Sequence, residues 1–384
     1  MKKKINIAIL GSTGSIGRSS IEVINKHPDL FNVELLSCYS SKKILINQIK
    51  KFLPKYVIIG NSRIYEFVKK INFKKKIIFF NSLDNFNKIF KGSFDKTILA
   101  ISSINGLPYA FSFLNCSKEI LLANKETIVC GGNLFLREAK RNNCIIKSID
   151  SEHYCLSKII EKIKFKQINK IYLTASGGPF LHKSKKQILK SLPSEAMRHP
   201  NWKMGKKISI DSATMVNKGL EVIEASILFK LNPSQIKIKI HEESRVHSAV
   251  LLKNNLVYLV AHDTSMKIPI ENSLLDDYKN NQTINFFEKK NKFIFSFDEI
   301  NLKKFLALPL AFRALTLGQR ACIFYNVIND CLVNMYLERK IFFYEITSKL
   351  NKVMSNKKLK SYFKKKVNNL NDIYDTINYA KSFI

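Results

Sequence analysis

The first 150 residues alternate short apolar runs with longer segments of helical character. The apolar runs are INIAIL, VELLSC, YVIIG, KIIFF, TILAI, ILLA and CIIKSI. Runs of this length are typical of strands, and strands that alternate with helical segments indicate βαβ units. The pattern therefore predicts a mostly parallel sheet with helices on both faces.

The pattern changes after residue 170. The runs KIYLTA, IKIKI and SAVLLKNNLVYLVAH are longer and closer together, and one clear helical pattern interrupts them. A polar, linker-like stretch, LLDDYKNNQTINFFEKKNKF, comes next, and beyond residue 300 the periodicity is helical almost throughout. We therefore expect an α/β protein in four parts: a Rossmann-like domain at 1–149, an α+β domain at 150–276, a linker at 277–300 and a helical domain at 301–384.

The formal net charge of +34 suggests nucleic acid as a partner, because a strongly basic surface attracts polyanions. Only nine of the 64 basic residues are Arg, whereas a surface that reads bases would favour Arg. The densest patch, at 352–366, has seven Lys and no acid, and an amphipathic pattern follows it. A solvated helical surface is the favoured interpretation, and a basic nucleic-acid-binding protein on a dehydrogenase fold is kept as the alternative.

Cysteine usage and hydropathy bear on the location of the protein. The seven cysteines include no CxxC pair and no metal-type spacing, which is typical of free thiols in a reducing cytoplasm. The longest apolar stretches are interrupted by polar residues, so we expect no membrane span, and the N-terminal apolar run is too short for a signal peptide. We expect a cytoplasmic protein.

A glycine motif, GSTGSIG at 11–17, follows the first predicted strand and precedes a helical pattern. In this setting glycines permit a tight turn and a close approach of backbone N–H groups to a pyrophosphate. At the end of the second strand an NAD site usually has an acid, but this chain has Ser40, Ser41, Lys42 and Lys43. Hydroxyl and ammonium groups suit a 2′-phosphate, so the sequence predicts NADP(H) rather than NAD(H).

Two carboxylates, Asp150 and Glu152, follow the last strand of the first part. Ligands gather at the carboxyl ends of parallel strands, and alternate residues of an extended chain point the same way, so these groups could converge on one cation. Two oxygen ligands alone are a poor cage. Taken by itself, DSEH is more often a helix N-cap.

The segment ISIDSATMVNKGLEVIEAS, at 208–226, changes this balance. Its pattern becomes helical after Asp211, and Asn217, Lys218 and Glu221 then lie on neighbouring surface. With Ser212, the amide and the ammonium form a set suited to phosphate, although an exposed Lys–Glu pair is the simpler explanation. Glu221 could supply a third carboxylate, and an all-oxygen site suits Mg²⁺ or Mn²⁺ rather than Zn²⁺.

Two further stretches belong with this site. LTASGGPF, at 173–180, predicts a turn after a strand that exposes the Ser176 hydroxyl, although such turns are usually structural. MRHPNWKMGKK, at 197–207, places the only Trp of the chain, Trp202, in a polar loop with His199 and Met204. A single Trp is usually in the core, but this setting favours a loop that closes over a ligand.

These motifs together resemble the 1-deoxy-D-xylulose-5-phosphate reductoisomerase family of the non-mevalonate isoprenoid pathway. The resemblance is carried by GSTGSIG, LLANKE, DSEH, SGGPF, HPNWKMGKKISIDSATMVNKGLEVIEA and, more loosely, HEESRVHS and NVIND. These segments extend from residue 7 to about 330. Three departures are Ala175 where Gly is frequent, HEES in place of HPQS, and DTSMKIPI in place of a DMRTPI-like segment, with Lys267 displaced in register.

The resemblance implies a set of functional residues. The metal ligands would be Asp150, Glu152 and Glu221, and the other catalytic candidates are Lys125 and His153. Substrate would be bound by Ser151, Ser176, His199, Trp202, Ser212, Asn217 and Lys218. Cofactor would be bound by Gly11, Thr13, Gly14, Ser15, Ile16, Ser40, Lys42, Asn124, Glu126 and Gly205.

The resemblance also implies a reaction and an assembly. NADPH and Mg²⁺ or Mn²⁺ would support rearrangement and reduction of 1-deoxy-D-xylulose 5-phosphate to 2-C-methyl-D-erythritol 4-phosphate. The central domain, with its flexible loop 197–207, would carry catalysis and the contact of a homodimer. Within enzymes, the rival is an NADP-dependent semialdehyde dehydrogenase, which needs a nucleophilic Cys near a base.

Overall fold

The computed structural model describes residues 3–202, 204–275 and 294–384. Most of the predicted linker, residues 277–293, and position 203 of the predicted loop lie outside these ranges. The chain forms two compact units. Of the described residues, unit 1 contains 3–127, 135–150 and 266–275, and unit 2 contains 128–134, 151–202, 204–265 and 294–384. Among the described residues, no helix has the length and apolar character needed to cross a bilayer.

Unit 1 contains a seven-stranded sheet. Its strands are β1 (Ile5–Leu10), β2 (Phe31–Cys38), β3 (Tyr56–Ile59), β4 (Ile78–Phe80), β5 (Phe94–Leu99), β6 (Ser117–Leu122) and β7 (Ile145–Ser148). All neighbouring pairs are parallel, in the order β4-β3-β2-β1-β5-β6-β7. Each of the seven apolar runs predicted to be a strand contributes one of these strands, so the predicted parallel sheet is confirmed.

The connections of unit 1 are helical. The helices are α1 (Ser15–Lys26), α2 (Lys42–Phe52), α3 (Ser62–Lys69), α4 (Leu83–Ile89), α5 (Leu107–Phe113) and α6 (Lys125–Arg141), whose middle residues 128–134 belong to unit 2. A later helix, α12 (Lys267–Leu275), also joins unit 1, and Ile270 and Leu274 enter its core. Strand order reverses beside β1, which makes the loop after β1 the expected ligand-binding end of the sheet.

Unit 2 contains a five-stranded mixed sheet. Its strands are β8 (Ile168–Ala175), β9 (Ile236–Ile240), β10 (Val246–Leu252), β11 (Val257–Ala261) and β12 (Asp298–Glu299). The order is β11-β10-β8-β9-β12, and only β8 and β9 are parallel. Apolar residues of this sheet pack with α7 (Ser151–Ile160) and α11 (Val216–Leu228) around one core. The predicted combination of strands and helix in this region is confirmed.

The remaining helices of unit 2 include the C-terminal ones. They are α8 (Lys185–Ile188), α9 (Pro193–Ala196), α10 (Lys206–Thr214), α13 (Ala307–Leu317), α14 (Gln319–Leu337), α15 (Phe343–Met354), α16 (Lys360–Phe363) and α17 (Leu370–Lys381). Short 3₁₀ turns occur at Ser103–Gly106, Phe165–Gln167, Pro233–Gln235 and Lys357–Leu359. Helix α14 is largely buried and packs against α13, α15 and α17. The prediction that helices dominate beyond residue 300 is confirmed.

One predicted helix start is wrong. The helical pattern after Asp211 belongs to two helices, since α10 already begins at Lys206 and contains Asp211. Met215, in the left-handed conformation with φ 63°, separates α10 from α11. Lys207 and Asp211, one turn apart and 2.8 Å apart between Nζ and Oδ2, stabilise the earlier helix. Ser212 therefore lies near the end of α10 rather than at the start of the helix that carries Asn217.

Candidate active site

Three carboxylates form the centre of the candidate site. Asp150 directly precedes α7, Glu152 lies in the first turn of α7, and Glu221 lies in α11. One oxygen from each lies within 4.8 Å of the others. Glu221 is fully buried and the other two are half-buried. The structure thus brings together the three residues that the sequence assigned to a metal.

The reason for this convergence differs from the one predicted. Because α7 begins at Ser151, Glu152 is helical, and the argument from alternation along an extended chain is wrong. Asp150 instead occupies the position before the helix, as in the N-cap interpretation, while Glu152 follows two residues later in the first turn of the helix. The cap and the carboxylate pair are therefore compatible, because the helix start itself presents both acids.

Lysine ammonium groups bind all three carboxylates. The Nζ of Lys125, the first residue of α6, lies 2.8 Å from Oδ2 of Asp150. The Nζ of Lys218 lies 2.9 Å from Oε1 of Glu152 and also bonds Oε2 of Glu221. Burial lowers the pKa of Lys218, but the charges of Glu152 and Glu221 outweigh burial, so the net shift is upward. The pocket therefore already holds positive charge among its acids.

Polar neighbours fix the two glutamates of unit 2. Asn217 donates from Nδ2 to Oε1 of Glu221 at 2.6 Å, and Ser151 donates from Oγ to Oε2 of Glu152 at 2.7 Å. The Oγ of Ser248 donates to the backbone carbonyl of Glu152 at 2.6 Å. These bonds hold both side chain and backbone, which preorganises the carboxylates.

The predicted catalytic candidate His153 contacts α11, the helix that carries Glu221. It is fully buried, and its Nε2 donates to the backbone carbonyl of Glu221 at 3.0 Å. Its Nδ1 lies 3.6 Å from Oε2 of Glu224, one turn beyond Glu221 in α11. These contacts join α7 to α11 behind the carboxylates, so the geometry makes His153 a support for Glu221.

The SGGP turn and the loop at 197–207 meet at one hydrogen bond. The Oγ of Ser176 lies 2.8 Å from Nε2 of His199. His199 Nδ1 accepts from the backbone N–H of Asn201 and of Trp202, so Nε2 carries the proton and donates to Ser176. Burial lowers the pKa of His199 to about 4, although Glu152 acts in the opposite direction. The neutral imidazole is therefore the form present at neutral pH.

The same turn also approaches Ser212. A Cβ added to Gly178 would lie 3.0 Å from the carbonyl oxygen of Ser212, so the turn and the end of α10 are in close contact. A cavity of about 540 Å³ opens beside the turn, and Ser176, Gly178, Arg198 and Asn201 are among its lining residues. The turn that contains Ser176 thus contacts the end of α10 that contains Ser212, while Asn217 and Lys218 bond to Glu221 on the next helix.

The glycine loop follows β1 at the point where strand order reverses. Gly11 has φ 82°, and its backbone N–H donates to Oγ of Ser37 at 2.8 Å. At Gly17, a Cβ would lie 2.3 Å from the carbonyl oxygen of Gly11, so this position has no room for a side chain. Gly14 caps α1, and Ser15 and Ile16 form its first turn. The predicted cofactor residues of this loop, Thr13 among them, are therefore contiguous at a helix N-terminus.

The other predicted cofactor residues are spread over both units. Asn124, buried, caps α6 by accepting from Thr127 and donating to the carbonyl of Ser103, and Glu126 is buried in the first turn of that helix. Ser40 and Lys42 are exposed after β2, with the Lys42 ammonium 3.9 Å from the ring centroid of Phe67. Gly205 caps α10 in unit 2 with an ordinary φ of −68°.

The cysteines bear on the rival dehydrogenase. Six of the seven cysteines are buried, and none of the seven forms a disulfide among the described residues. Burial raises the pKa of Cys116, Cys144 and Cys322 to about 12, so these three are poor nucleophiles at neutral pH. The thiol chemistry of a semialdehyde dehydrogenase has no support from these three positions.

Two histidines near the carboxylates were not predicted as site residues. His247 in β10 and His262 after β11 are both buried, and Glu152 influences the pKa of each. Neither belongs to a recognisable spacing with the other acids or histidines. Only the pairing of β10 with β11 brings them together.

Comparison with known proteins identifies the family. Three family profiles match: "1-deoxy-D-xylulose 5-phosphate reductoisomerase" over 7–132, its "C-terminal domain" over 146–229, and "DXP reductoisomerase C-terminal domain" over 263–383. The Pelagibacter ubique (strain HTCC1062) 1-deoxy-D-xylulose 5-phosphate reductoisomerase is 38% identical over 99% of this chain and 98% of its own length.

Solved structures agree with this assignment. A DOX-P reductoisomerase crystallised with NADPH, fosmidomycin and magnesium has a TM-score of 0.89 and 32% identity, covering 98% of this chain and 97% of its own. The Zymomonas mobilis enzyme in complex with NADPH has a TM-score of 0.86 and 27% identity, covering 99% and 98%. This chain belongs to the 1-deoxy-D-xylulose 5-phosphate reductoisomerase family.

Proposed function

We propose that this chain converts 1-deoxy-D-xylulose 5-phosphate into 2-C-methyl-D-erythritol 4-phosphate, with NADPH as reductant and Mg²⁺ or Mn²⁺ as the metal. The observation that carries the proposal is the cluster of Asp150, Glu152 and Glu221 in a chain of this family. The related enzyme crystallised with NADPH, fosmidomycin and magnesium supports the same pair of cofactors.

The donor set of this site fits a hard divalent cation. Three carboxylate oxygens lie within 4.8 Å of one another, and oxygen ligands with positions left for substrate suit Mg²⁺ or Mn²⁺. The ammonium of Lys218 already bridges Glu152 and Glu221, so the pocket tolerates a cation between them. Asp150, Glu152 and Glu221 would hold the metal, as the sequence predicted.

The glycine loop fits a dinucleotide. Its backbone approaches closely at Gly11 and Gly17, and Gly14 caps a helix whose N-terminus suits a pyrophosphate. We assign Gly11, Thr13, Gly14, Ser15 and Ile16 to this role. Ser40 and Lys42 would bind the 2′-phosphate, and Asn124, Glu126 and Gly205 would contribute further cofactor contacts.

The candidate residues of the site have different roles in the proposed reaction. Lewis-acid polarisation of the sugar oxygens is what a bound divalent cation supplies, and hydride is what NADPH supplies. Lys125 holds Asp150 in place and adds positive charge where the sugar oxygens become negative. Ser151 fixes Glu152 and offers its hydroxyl to the substrate. His153 supports Glu221 from behind.

Substrate binding involves the turn, the helices and the loop. Ser176, Ser212, Asn217 and Lys218 would bind the phosphate of the sugar. Asn217 and Lys218 bond to the glutamates in this structure, so binding the phosphate requires them to exchange partners. His199 and Trp202 would lie over the substrate and exclude water, which is the role expected of a closing loop.

The proposal is tested by following NADPH absorbance with purified protein and 1-deoxy-D-xylulose 5-phosphate, with and without Mg²⁺ or Mn²⁺. We expect metal-dependent oxidation, and a loss of about a hundredfold or more in Glu221→Gln, because a buried ligand loses its charge. Glu161→Gln, an exposed carboxylate after α7, is the matched control. If folded protein leaves NADPH unchanged with either metal, the enzyme proposal fails and nucleic-acid binding becomes the hypothesis to test.

We also propose a homodimer formed through β11. This strand is at the edge of the sheet of unit 2, its exposed apolar residues are Val257, Tyr258 and Leu259, and the exposed Leu256 directly precedes it. An exposed apolar edge strand is a template for pairing with a second strand. Light scattering should give a dimer for the native chain and a monomer for Leu259→Lys.

For location, we propose the cytoplasm, since none of the seven cysteines forms a disulfide among the described residues.

A further inference from the structure

Three aromatic rings of unit 2 are in contact, two of them stacked and the third in a T-shaped contact. The ring of Trp202 lies 5.9 Å from that of His247 at 66°, and the rings of His247 and His262 lie 3.9 Å apart at 26°. His247 and His262 are 2% and 7% exposed. Trp202 belongs to the loop at 197–207, so these ring contacts join the loop to the strands of the sheet.

A β-bulge sets the position of His247. Val246 pairs with Ala261 while Ser248 pairs with Val260, so His247 is an extra residue on β10. The hydroxyl of Thr174 lies 2.6 Å from the carbonyl oxygen of Val246 and 3.1 Å from that of His247, and it donates to these groups. Because a bulge redirects its side chain, it turns the ring of His247 towards His262.

The hydrogen bonds fix the tautomers of both imidazoles. A carbonyl oxygen only accepts, so Nδ1 of His262 donates to Asp263 at 2.7 Å, and Nε2 of His247 donates to the carbonyl of His262 at 3.3 Å. Nε2 of His262 is then an acceptor, and it is buried without a hydrogen-bond partner among the described residues. A buried nitrogen without a hydrogen bond is unfavourable. The stacking contact with the ring of His247 is the favourable interaction made by this side of the His262 ring.

We propose that His262 is a positioning residue for the loop at 197–207: its ring stacks on His247, and His247 in turn makes a T-shaped contact with Trp202. The inference rests on the proposed function, because that function assigns the loop to substrate binding. The support extends further along the loop, since the backbone N–H of Trp202 donates to His199, and His199 donates to Ser176.

The charge state of the rings favours stacking. Burial lowers the pKa of His247 to about 4, and burial also lowers the pKa of His262. Both rings are therefore neutral at neutral pH. Neutral imidazoles pack face to face without charge repulsion.

Fluorescence of the single Trp tests this inference without substrate or cofactor. Acrylamide quenching is measured for the full chain and for His262→Ala, His262→Leu and His262→Phe. We expect Ala and Leu to increase quenching about twofold and to shift emission to the red, because neither offers a planar ring. His262→Phe keeps a ring of similar shape and should match the native protein. Circular dichroism confirms that each variant is folded, and His262→Leu replaces His262→Ala if the latter does not fold.

Kinetics provide the second measurement. We expect the non-planar variants to raise the KM for 1-deoxy-D-xylulose 5-phosphate about three- to tenfold while kcat changes less than about twofold, with His262→Phe close to native. Native quenching in folded His262→Ala or His262→Leu would overturn the inference, as would equal loss in His262→Phe. Failure of the proposed function is separate, because it would appear as absent turnover in the native chain while the fluorescence result still stands.

Discussion

The glycine loop after β1 and the carboxylate cluster around Glu221 achieve binding by opposite means. The loop presents backbone groups to a ligand, and its conformation leaves no room for a Cβ at Gly11 or Gly17. The cluster presents three acids with Lys125 and Lys218 bonded to them, all at least half-buried. The loop thus depends on space and backbone conformation, whereas the cluster depends on the balance of buried charge.

This difference predicts different responses to substitution. Removing a charge from the cluster leaves other buried charges without compensation, which is among the most destabilising changes in proteins. Adding a methyl group to the loop displaces backbone locally and removes the fit to a pyrophosphate. A divalent metal should restore part of the stability lost on substitution in the carboxylate cluster, and it should have no effect on substitutions in the glycine loop.

The largest effect is expected for Lys218→Met. It removes the ammonium that bonds Glu152 and Glu221, and breaking such a buried pair costs about 3–5 kcal/mol of unfolding free energy. We expect Mn²⁺ to restore part of this loss, because the remaining carboxylates gain a cation. Urea titrations with EDTA and with Mn²⁺ measure the loss of unfolding free energy and its recovery. Lys206→Met, on an exposed Lys of α10, is the control, and equal losses with and without Mn²⁺ would contradict the metal site.

A smaller effect on the unfolding free energy is expected when a change of pH protonates His247. Its folded pKa, about 4, is below the usual 6.5, so the unfolded chain binds a proton that the folded chain does not. Stability from the neutral ring is present above pH 6.5 and lost as pH falls towards 4, by up to about 3 kcal/mol. His247→Phe should remove this part of the acid destabilisation in urea titrations. His182→Phe, at an exposed site, should leave the slope native, and an unchanged slope in His247→Phe would show that His247 does not titrate as described.

The comparison also explains what the sequence could predict. The glycine loop is seven consecutive letters between a strand and a helix, so local pattern was sufficient. Glu221 lies far along the chain from Asp150. The residues offered it as a possible third carboxylate but did not give its distance from the other acids, and the resemblance to the family strengthened the grouping. Glu152 lies in the cluster because α7 begins at Ser151. The sequence pattern did not distinguish this helix start from extended chain.

The stack of His262 on His247 was beyond sequence reasoning for a physical reason. It depends on a bulge, and a bulge is a one-residue shift between β10 and β11 that alternation of apolar residues does not reveal. The division between α10 and α11 was missed for a similar reason, since Met215 adopts φ 63° without a Gly to indicate it. Periodicity identified the elements, but the tertiary contacts set these details.

Gly17→Ala tests the loop half of the comparison. The new Cβ would lie 2.3 Å from the carbonyl oxygen of Gly11 and 2.6 Å from Cα of Ser12, so backbone must move, which costs about 1–3 kcal/mol. We expect weaker NADPH binding by fluorescence titration and no rescue by Mn²⁺. Gly92→Ala is the control, because Gly92 is exposed between α4 and β5 and the nearest atoms to a Cβ there are side-chain atoms of Phe90, at 3.0 Å or more. Native NADPH affinity in folded Gly17→Ala would mean that the loop does not bind the cofactor.

The smallest effect is expected at Lys42. This lysine is the one positively charged side chain that we assign to the cofactor held by the glycine loop. Lys42 is exposed at the start of α2, so its removal should lower NADPH affinity about tenfold through loss of an ion pair with the 2′-phosphate. NADH lacks that phosphate, so its affinity should not change. Binding titrations of both dinucleotides to Lys42→Ala, with the exposed Lys50→Ala of the same helix as control, measure the difference. Equal weakening of NADPH and NADH would show that Lys42 acts on the loop structure, and that the preference for NADPH is determined elsewhere.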